Sequence, residues 1–359
     1  MAKKRTRKQR LLRSAVVTLV IILIFAIMNL VAAKFIYDAL FPRFEYSSYD
    51  LALNIDYKEI KEEYPRQEIG FINEDDIRLQ GYLYGEGNKG IIVVAPGLES
   101  GADDYLSLIL SLTDMGWRVF SFDTTGSFRS EGEDSVGFCQ ETEDLYAALD
   151  IISHHKELKN LPLFLVGHSR GGYAVACALE SDYDIKGIAT ISGANSPMEI
   201  TIDTSKNYIG NFAYAGYPFL YAYQSMLFGT EMTGMKASES ISNSDCPTLI
   251  IQGMNDTVTP PDTCSIYAHS QEIENPNVLY VTYIQENQNG HTNLLYSQDA
   301  VIYGKEIDRQ YKELSEKYPE GIPEDIAESF YDSIDSQKLN EPNTALVEEI
   351  NNFFENALK

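Results

Sequence analysis

The sequence predicts an α/β protein with a mostly parallel central sheet flanked by helices, preceded by one membrane-spanning helix. Three observations predict it. Apolar runs of strand length, among them residues 90–95 (GIIVVA), 185–192 and 247–253, alternate with helical patterns, as in sheets buried on both faces. Residues 161–179, LPLFLVGHSRGGYAVACAL, read as an apolar strand (163–166), a sharp turn and an apolar helix from about Gly171. Residues 14–33, SAVVTLVIILIFAIMNLVAA, carry no charge over 20 positions. A helix of that length spans about 30 Å, the thickness of a bilayer core.

The ends of the chain differ sharply in charge. The first 13 residues hold seven Lys or Arg and no acid, so a total of −25 leaves −32 on the remainder. So acidic a body argues against binding nucleic acid and is repelled by anionic head groups. The basic start instead flanks the apolar run, and the positive-inside rule places the N-terminus in the cytoplasm. Everything after Lys34 is then expected on the outer face of the cell membrane. A cleaved signal peptide is the competing reading, with Val31-Ala32-Ala33 as its cleavage site. Its apolar region is usually shorter, about 7–15 residues.

Residues 34–75 read as a juxtamembrane connector and 76–359 as the body. Phe35, Tyr37, Phe41 and Phe44 suit a membrane interface, and residues 50–64 suit a charged helix. Residues 77–84 alternate and end in Gly-Glu-Gly-Asn, the pattern of a strand and hairpin turn. Residues 90–95 form a central strand running into Pro96-Gly97-Leu98. Residues 102–115 read as a helix, and 117–122 as the next strand. It leads into Asp123-Thr124-Thr125-Gly126-Ser127-Phe128-Arg129-Ser130-Glu131-Gly132, a turn-shaping loop. Residues 140–158 form a helix whose end carries His154 and His155, both expected in solvent.

The strand–helix rhythm breaks at 194–244. This stretch carries Tyr208, Phe212, Tyr214, Tyr217, Phe219, Tyr221, Tyr223 and Phe228. Such side chains either line an apolar cavity or pack an insertion against the core. Strands resume at 247–253 and 277–284, the second followed by Gly290-His291. Residues from about 303 to 342 are polar and acidic, and 346–358 form a closing amphipathic helix. Four cysteines, Cys139, Cys177, Cys246 and Cys264, lack metal-ligand spacing. Cys177 and Cys246 read as small buried thiols. No P-loop or dinucleotide fingerprint is present, and no cofactor or metal is expected.

Gly167-His168-Ser169-Arg170-Gly171 fits G-x-S-x-G between a strand and a helix. It resembles the nucleophile elbow of the α/β-hydrolase superfamily, in which the turn holds the serine in strained backbone at the sheet's carboxyl edge. Gly167 and Gly171 relieve crowding there, and His168 orders the turn. The loop 123–132 is similar to the superfamily's D-x-R-G-x-G-x-S-x-G, with departures at Thr125 and Phe128. The resemblance covers roughly residues 77–300, less a cap at about 194–244. It is nearest to serine hydrolases that include monoacylglycerol lipases, lysophospholipases and peptidase-like relatives.

That resemblance implies a triad in the order Ser169, Asp256, His291. Asp256 sits in Gly253-x-x-Asp256-x-Val258, a pattern the neighbouring Asp262 lacks. Among five histidines, His291 alone follows the last strand in a glycine-led loop, and His269 reads as a helix-surface residue. The backbone N–H groups of Arg170 and Leu98 are the expected oxyanion donors, worth about 3–4 kcal/mol each. The implied activity is hydrolysis of a small-molecule or lipid-like ester through an acyl-enzyme. A peptidase or amidase on the same triad, and a silent membrane-tethered binding protein, are the alternatives.

Overall fold

The computed structural model describes residues 7–359, and the side chains of all of these except 207–209. Residues 1–6 of the basic segment and the Tyr208 side chain therefore lie outside the described residues. Helix α1 (Arg7–Leu40) contains the charge-free run and extends seven residues past its end. It is long and apolar enough to cross a membrane, and no residue of its most apolar 18-residue window is buried.

The last turns of α1 are covered. Ala33, Tyr37 and Phe41 are buried, so two of the aromatics expected at the membrane interface pack into protein instead. Phe35, between Ala33 and Tyr37, stands clear at 70% exposure. The reason is helical spacing: Ala33, Tyr37 and Phe41 recur every four residues and form one stripe.

Residues 34–75 also hold α2 (Ser48–Leu53), α3 (Tyr57–Ile60) and strand β1 (Arg66–Ile72). Ser47 and Asp56 cap the two short helices through their side-chain oxygens. β1 pairs antiparallel with β2 (Arg78–Tyr84) through a turn in which Asp76 has φ +60°. The Gly-Glu-Gly-Asn expected to turn a hairpin does not do so. β2 pairs next with β4 (Arg118–Asp123), and β3 (Ile91–Ala95) lies one strand beyond. Gly87 passes directly over Gly116 at the start of β4, where a Cβ would come 2.0 Å from the Gly116 oxygen.

The eight strands run in the order β1-β2-β4-β3-β5-β6-β7-β8. From β4 onward neighbours are parallel, with β5 (Leu163–His168), β6 (Ile185–Ile191), β7 (Thr248–Gly253) and β8 (Val278–Tyr283) completing the sheet. Alternation along β3 shows how both faces are buried. Ile91 and Val93 join one core with α5 (Gln140–His154) and α6 (Arg170–Cys177). Ile92 and Val94 join the other, with α4 (Leu106–Asp114) and the C-terminal helix.

After β6 the chain forms α7 (Pro197–Ile209), α8 (Ala213–Gly234, kinked at Gly229) and α9 (Ala237–Ser242) before re-entering the sheet. The acidic tail is helical: α10 (Gln298–Lys317), α11 (Glu324–Tyr331) and α12 (Ser336–Leu339). It packs on the connector, where Tyr49 of α2 stacks on Tyr311 at 4.1 Å and the Asn340 amide donates to the Leu53 carbonyl at 2.7 Å. Helix α13 (Thr344–Ala357) closes the second core, with Phe354 4.6 Å from the Phe164 ring and Asn351 accepting the Trp117 indole N–H at 2.9 Å. All four cysteines are free thiols, and three are buried.

Candidate active site

Strand β5 ends at His168 and α6 begins at Arg170, so Ser169 alone makes the turn. Its backbone sits at φ +56°, ψ −115°, a region L-residues avoid. Crowding enforces the flanking glycines. A Cβ on Gly167 would lie 2.1 Å from the Gly171 oxygen, and one on Gly171 2.2 Å from the Ala95 oxygen. The Arg170 N–H belongs to the first turn of α6, where N–H groups have no partner inside the helix.

Ser169 and His291 line one cavity of about 300 Å³, together with Leu98 and Thr259. Its apolar walls come from Leu40 and Phe41 at the end of α1, Phe138, Ile200 of α7, and Val258. The aromatic side chains of residues 212–228 do not form it.

His291 Nδ1 lies 2.8 Å from Asp256 Oδ2. The Asp256 side chain is fully buried, yet it is well satisfied. Oδ1 accepts the N–H groups of Val258 and Thr259 at 2.8 and 2.9 Å. Oδ2 is approached by the Thr259 hydroxyl at 2.8 Å and the Gln252 amide at 3.2 Å. Burial alone would raise this carboxyl, but the hydrogen bonds from His291 and Thr259 outweigh it and hold it below the usual range. An ionised carboxylate only accepts, so Nδ1 carries the proton and Nε2 is left free to take one.

His168 is buried and works through both ring nitrogens. Nε2 lies 2.9 Å from the His291 carbonyl, which can only accept, so Nε2 is the protonated nitrogen. Nδ1 then accepts from the Tyr105 hydroxyl at 2.8 Å. That hydroxyl in turn accepts the Gly97 N–H at 2.9 Å. One hydrogen-bonded chain thus joins the loop carrying Leu98, the elbow and the backbone of His291. Burial first, and the neighbouring His291 second, push His168 down to about 3, so it stays neutral.

The Arg170 side chain points away from the cavity. Buried at 1% exposure, it pairs with the buried Glu141 at 2.9 Å and donates to Ser135 and Thr124 hydroxyls. It thereby ties the elbow to the start of α5 and to the loop after β4. Within that loop, Asp123 accepts the Ala102 N–H and Ser130 donates to the Asp123 carbonyl, while Asp144 accepts from the Thr125 N–H and hydroxyl.

The remaining histidines stand apart from Ser169. His154 is exposed on the last turn of α5. His269 was expected on a helix surface; it sits in a short 3₁₀ turn, partly covered and bridging Glu199 and Glu272 at 3.0 Å each. Asp262 does not contact His291, whereas Asp256 does. Tyr105, Gln252 and Thr259 escape sequence reasoning, because no spacing rule links them to the residues they hold. No group of three or more His, Cys, Asp or Glu among the described residues could hold a metal ion.

Comparison with known proteins agrees with this architecture. Residues 86–212 match the family described as serine aminopeptidase, S33. No curated protein matches the chain. Among solved structures, the esterase Pf2001 of Pyrococcus furiosus is similar at 17% identity, with 77% of this chain and 98% of that chain covered and a TM-score of 0.52. The α/β hydrolase GrgF from Penicillium sp. sh18 is similar at 14% identity, covering 70% and 98%, with a TM-score of 0.50. With its eight-stranded, mostly parallel sheet between helical layers, this chain has the α/β-hydrolase fold.

Proposed function

We propose that the protein is a membrane-anchored serine hydrolase that cleaves carboxylic esters through an acyl-enzyme. The observation that carries this reading is the shared cavity of Ser169 and His291, with His291 Nδ1 held by the buried Asp256. In the proposed reaction His291 Nε2 takes the Ser169 proton as Oγ attacks the carbonyl carbon. Negative charge developing on the carbonyl oxygen is met by the Leu98 and Arg170 N–H groups. The imidazolium returns its proton to the departing alcohol. Water, activated by the same nitrogen, then releases the acid. Asp256 stabilises the imidazolium and fixes its tautomer.

The apolar walls of the cavity favour an ester with an acyl chain. The helix α1 supports anchoring, and the basic flank supports a cytoplasmic N-terminus with the body outside. On this reading residues 194–244 are the cap, 34–75 the connector and 76–359 the hydrolase body. A peptidase or amidase is the second reading, favoured by the match to a serine aminopeptidase family.

The experiment is labelling of the full-length protein with a fluorophosphonate probe, followed by hydrolysis of p-nitrophenyl esters from acetyl to palmitoyl, with Ser169→Ala as control. Labelling and turnover that vanish together in Ser169→Ala support the assignment. No labelling of folded protein would favour the silent binding protein. Labelling without turnover of any ester would favour the peptidase reading.

A further inference from the structure

Residues 207–230, NYIGNFAYAGYPFLYAYQSMLFGT, contain no Asp, Glu, Lys or Arg in a chain of net charge −25. They form the tip of the α7–α8 hairpin and most of α8. A helix lying over an active site in water would be expected to turn a polar face outward. The turn leading into this one bears Phe212 at 81% exposure, and the helix itself turns out Tyr214, Tyr217, Met226 at 72% and Leu227.

The position of α8 says what covers that face. It packs along the C-terminal half of α1: Phe219 meets Phe25 at 5.9 Å, Tyr223 meets Tyr37 at 5.1 Å, and Gln224 accepts from the Tyr37 hydroxyl. Phe25 lies within the charge-free run, eight residues before its end at Ala33. At 1.5 Å per residue that is about 12 Å inside the apolar segment. Whatever solvates α1 at that level also meets the exposed side of α8. The charges of the hairpin lie at its margins. Glu199, Asp203 and Lys206 of α7 line a cavity of about 680 Å³ together with Tyr214, Tyr217 and Pro218 of α8. Lys206 is paired to Asp203 and lies 4.9 Å from the Tyr214 ring, and Glu231 follows the uncharged stretch.

We propose that the α7–α8 hairpin is a second membrane-inserted element, with its aromatic tip and the outer side of α8 seated in the leaflet nearest the body. This rests on α1 spanning the bilayer, as argued above. The Ser169 cavity is walled by the end of α1 and by Ile200, Thr201 and Thr204 of α7. It therefore opens beside the two elements that meet the lipid, and its ester substrate is an amphiphile drawn from that leaflet.

The test uses the full chain in phosphatidylcholine vesicles, with tryptophan placed at single sites. Native Trp117 is fully buried and supplies a constant background. Phe212→Trp reports the hairpin, Ile24→Trp reports α1, and Ile284→Trp, on the exposed surface of the body, is the control. Lipid brominated on its acyl chains should quench Phe212→Trp and Ile24→Trp and spare Ile284→Trp. Quenching of Ile24→Trp alone would overturn the hairpin proposal while leaving the anchor intact. Quenching at neither site would overturn both. Phe212→Asp with Tyr214→Asp should slow hydrolysis of a bilayer-embedded long-chain ester about tenfold or more, from the cost of a carboxylate at membrane depth. The same variant should leave a soluble short-chain ester unaffected. Equal rates on both esters, whether lost or kept, would refute supply of substrate from the leaflet.

Discussion

Protonation of His168 is expected to govern a large part of the acid sensitivity of this fold. In the folded protein His168 is buried between a phenol that donates to it and a carbonyl that accepts from it, and its pKa falls to about 3. An unfolded histidine titrates near 6.5. The unfolded chain thus binds a proton at a pH where the folded one does not. The resulting stability is fully present above about 6.5 and is lost as pH falls toward the folded value. Between pH 7 and pH 5 the loss is about 2 kcal/mol, and it reaches about 4 kcal/mol by pH 3. Other groups oppose it: burial pushes the Asp123 carboxyl up to about 6, which favours the folded state in acid. The variant His168→Gln isolates the histidine, since the other groups are common to both proteins. Gln keeps a donor and an acceptor but does not titrate. Urea unfolding of the full chain in detergent micelles at a series of pH values measures both. The stability difference, wild type minus variant, should shrink by about 2 kcal/mol from pH 7 to pH 5. Parallel profiles would show that His168 is not held neutral, and the relay from Gly97 to His291 would lose its physical basis.

Two further outcomes are expected. Asp256→Asn should fold but lose about four orders of magnitude in kcat, because its amide N–H₂ facing Nδ1 stabilises the tautomer in which Nε2 cannot accept a proton; steady-state ester hydrolysis checks this, and an unchanged rate would assign the acid elsewhere. Arg170→Met removes the cation that opposes the burial of the Glu141 carboxyl, which is pushed up to about 8 even with Arg170 present. The variant therefore holds Glu141 protonated and should lose about 1–3 kcal/mol at pH 7, the deficit widening toward pH ~9; a deficit in urea that does not change with pH would refute the pairing.

The buried parallel strands and the elbow were legible in the sequence. Apolar runs such as 90–95 and 163–166 are legible because a strand buried on both faces tolerates almost nothing else. Gly167 and Gly171 are legible because a Cβ at either would strike a carbonyl oxygen within about 2.2 Å. Ser169, Asp256 and His291 could be named one by one from the strand ends they follow. Only tertiary structure decided which side chains hold them. Tyr105 reaches His168 across 63 positions, and Glu141 reaches Arg170 across 29. Such pairs depend on the crossing of elements, which no local pattern encodes. The burial of Tyr37 and Phe41 was decided the same way. Their aromatic character suits a membrane interface or a protein core equally well, and α8 lying alongside α1 settles the choice. The strand β1, at the sheet edge, has an irregular burial pattern and so left little trace in the sequence. Local hydrophobicity states how much surface must be covered, and the packing of distant elements states by what.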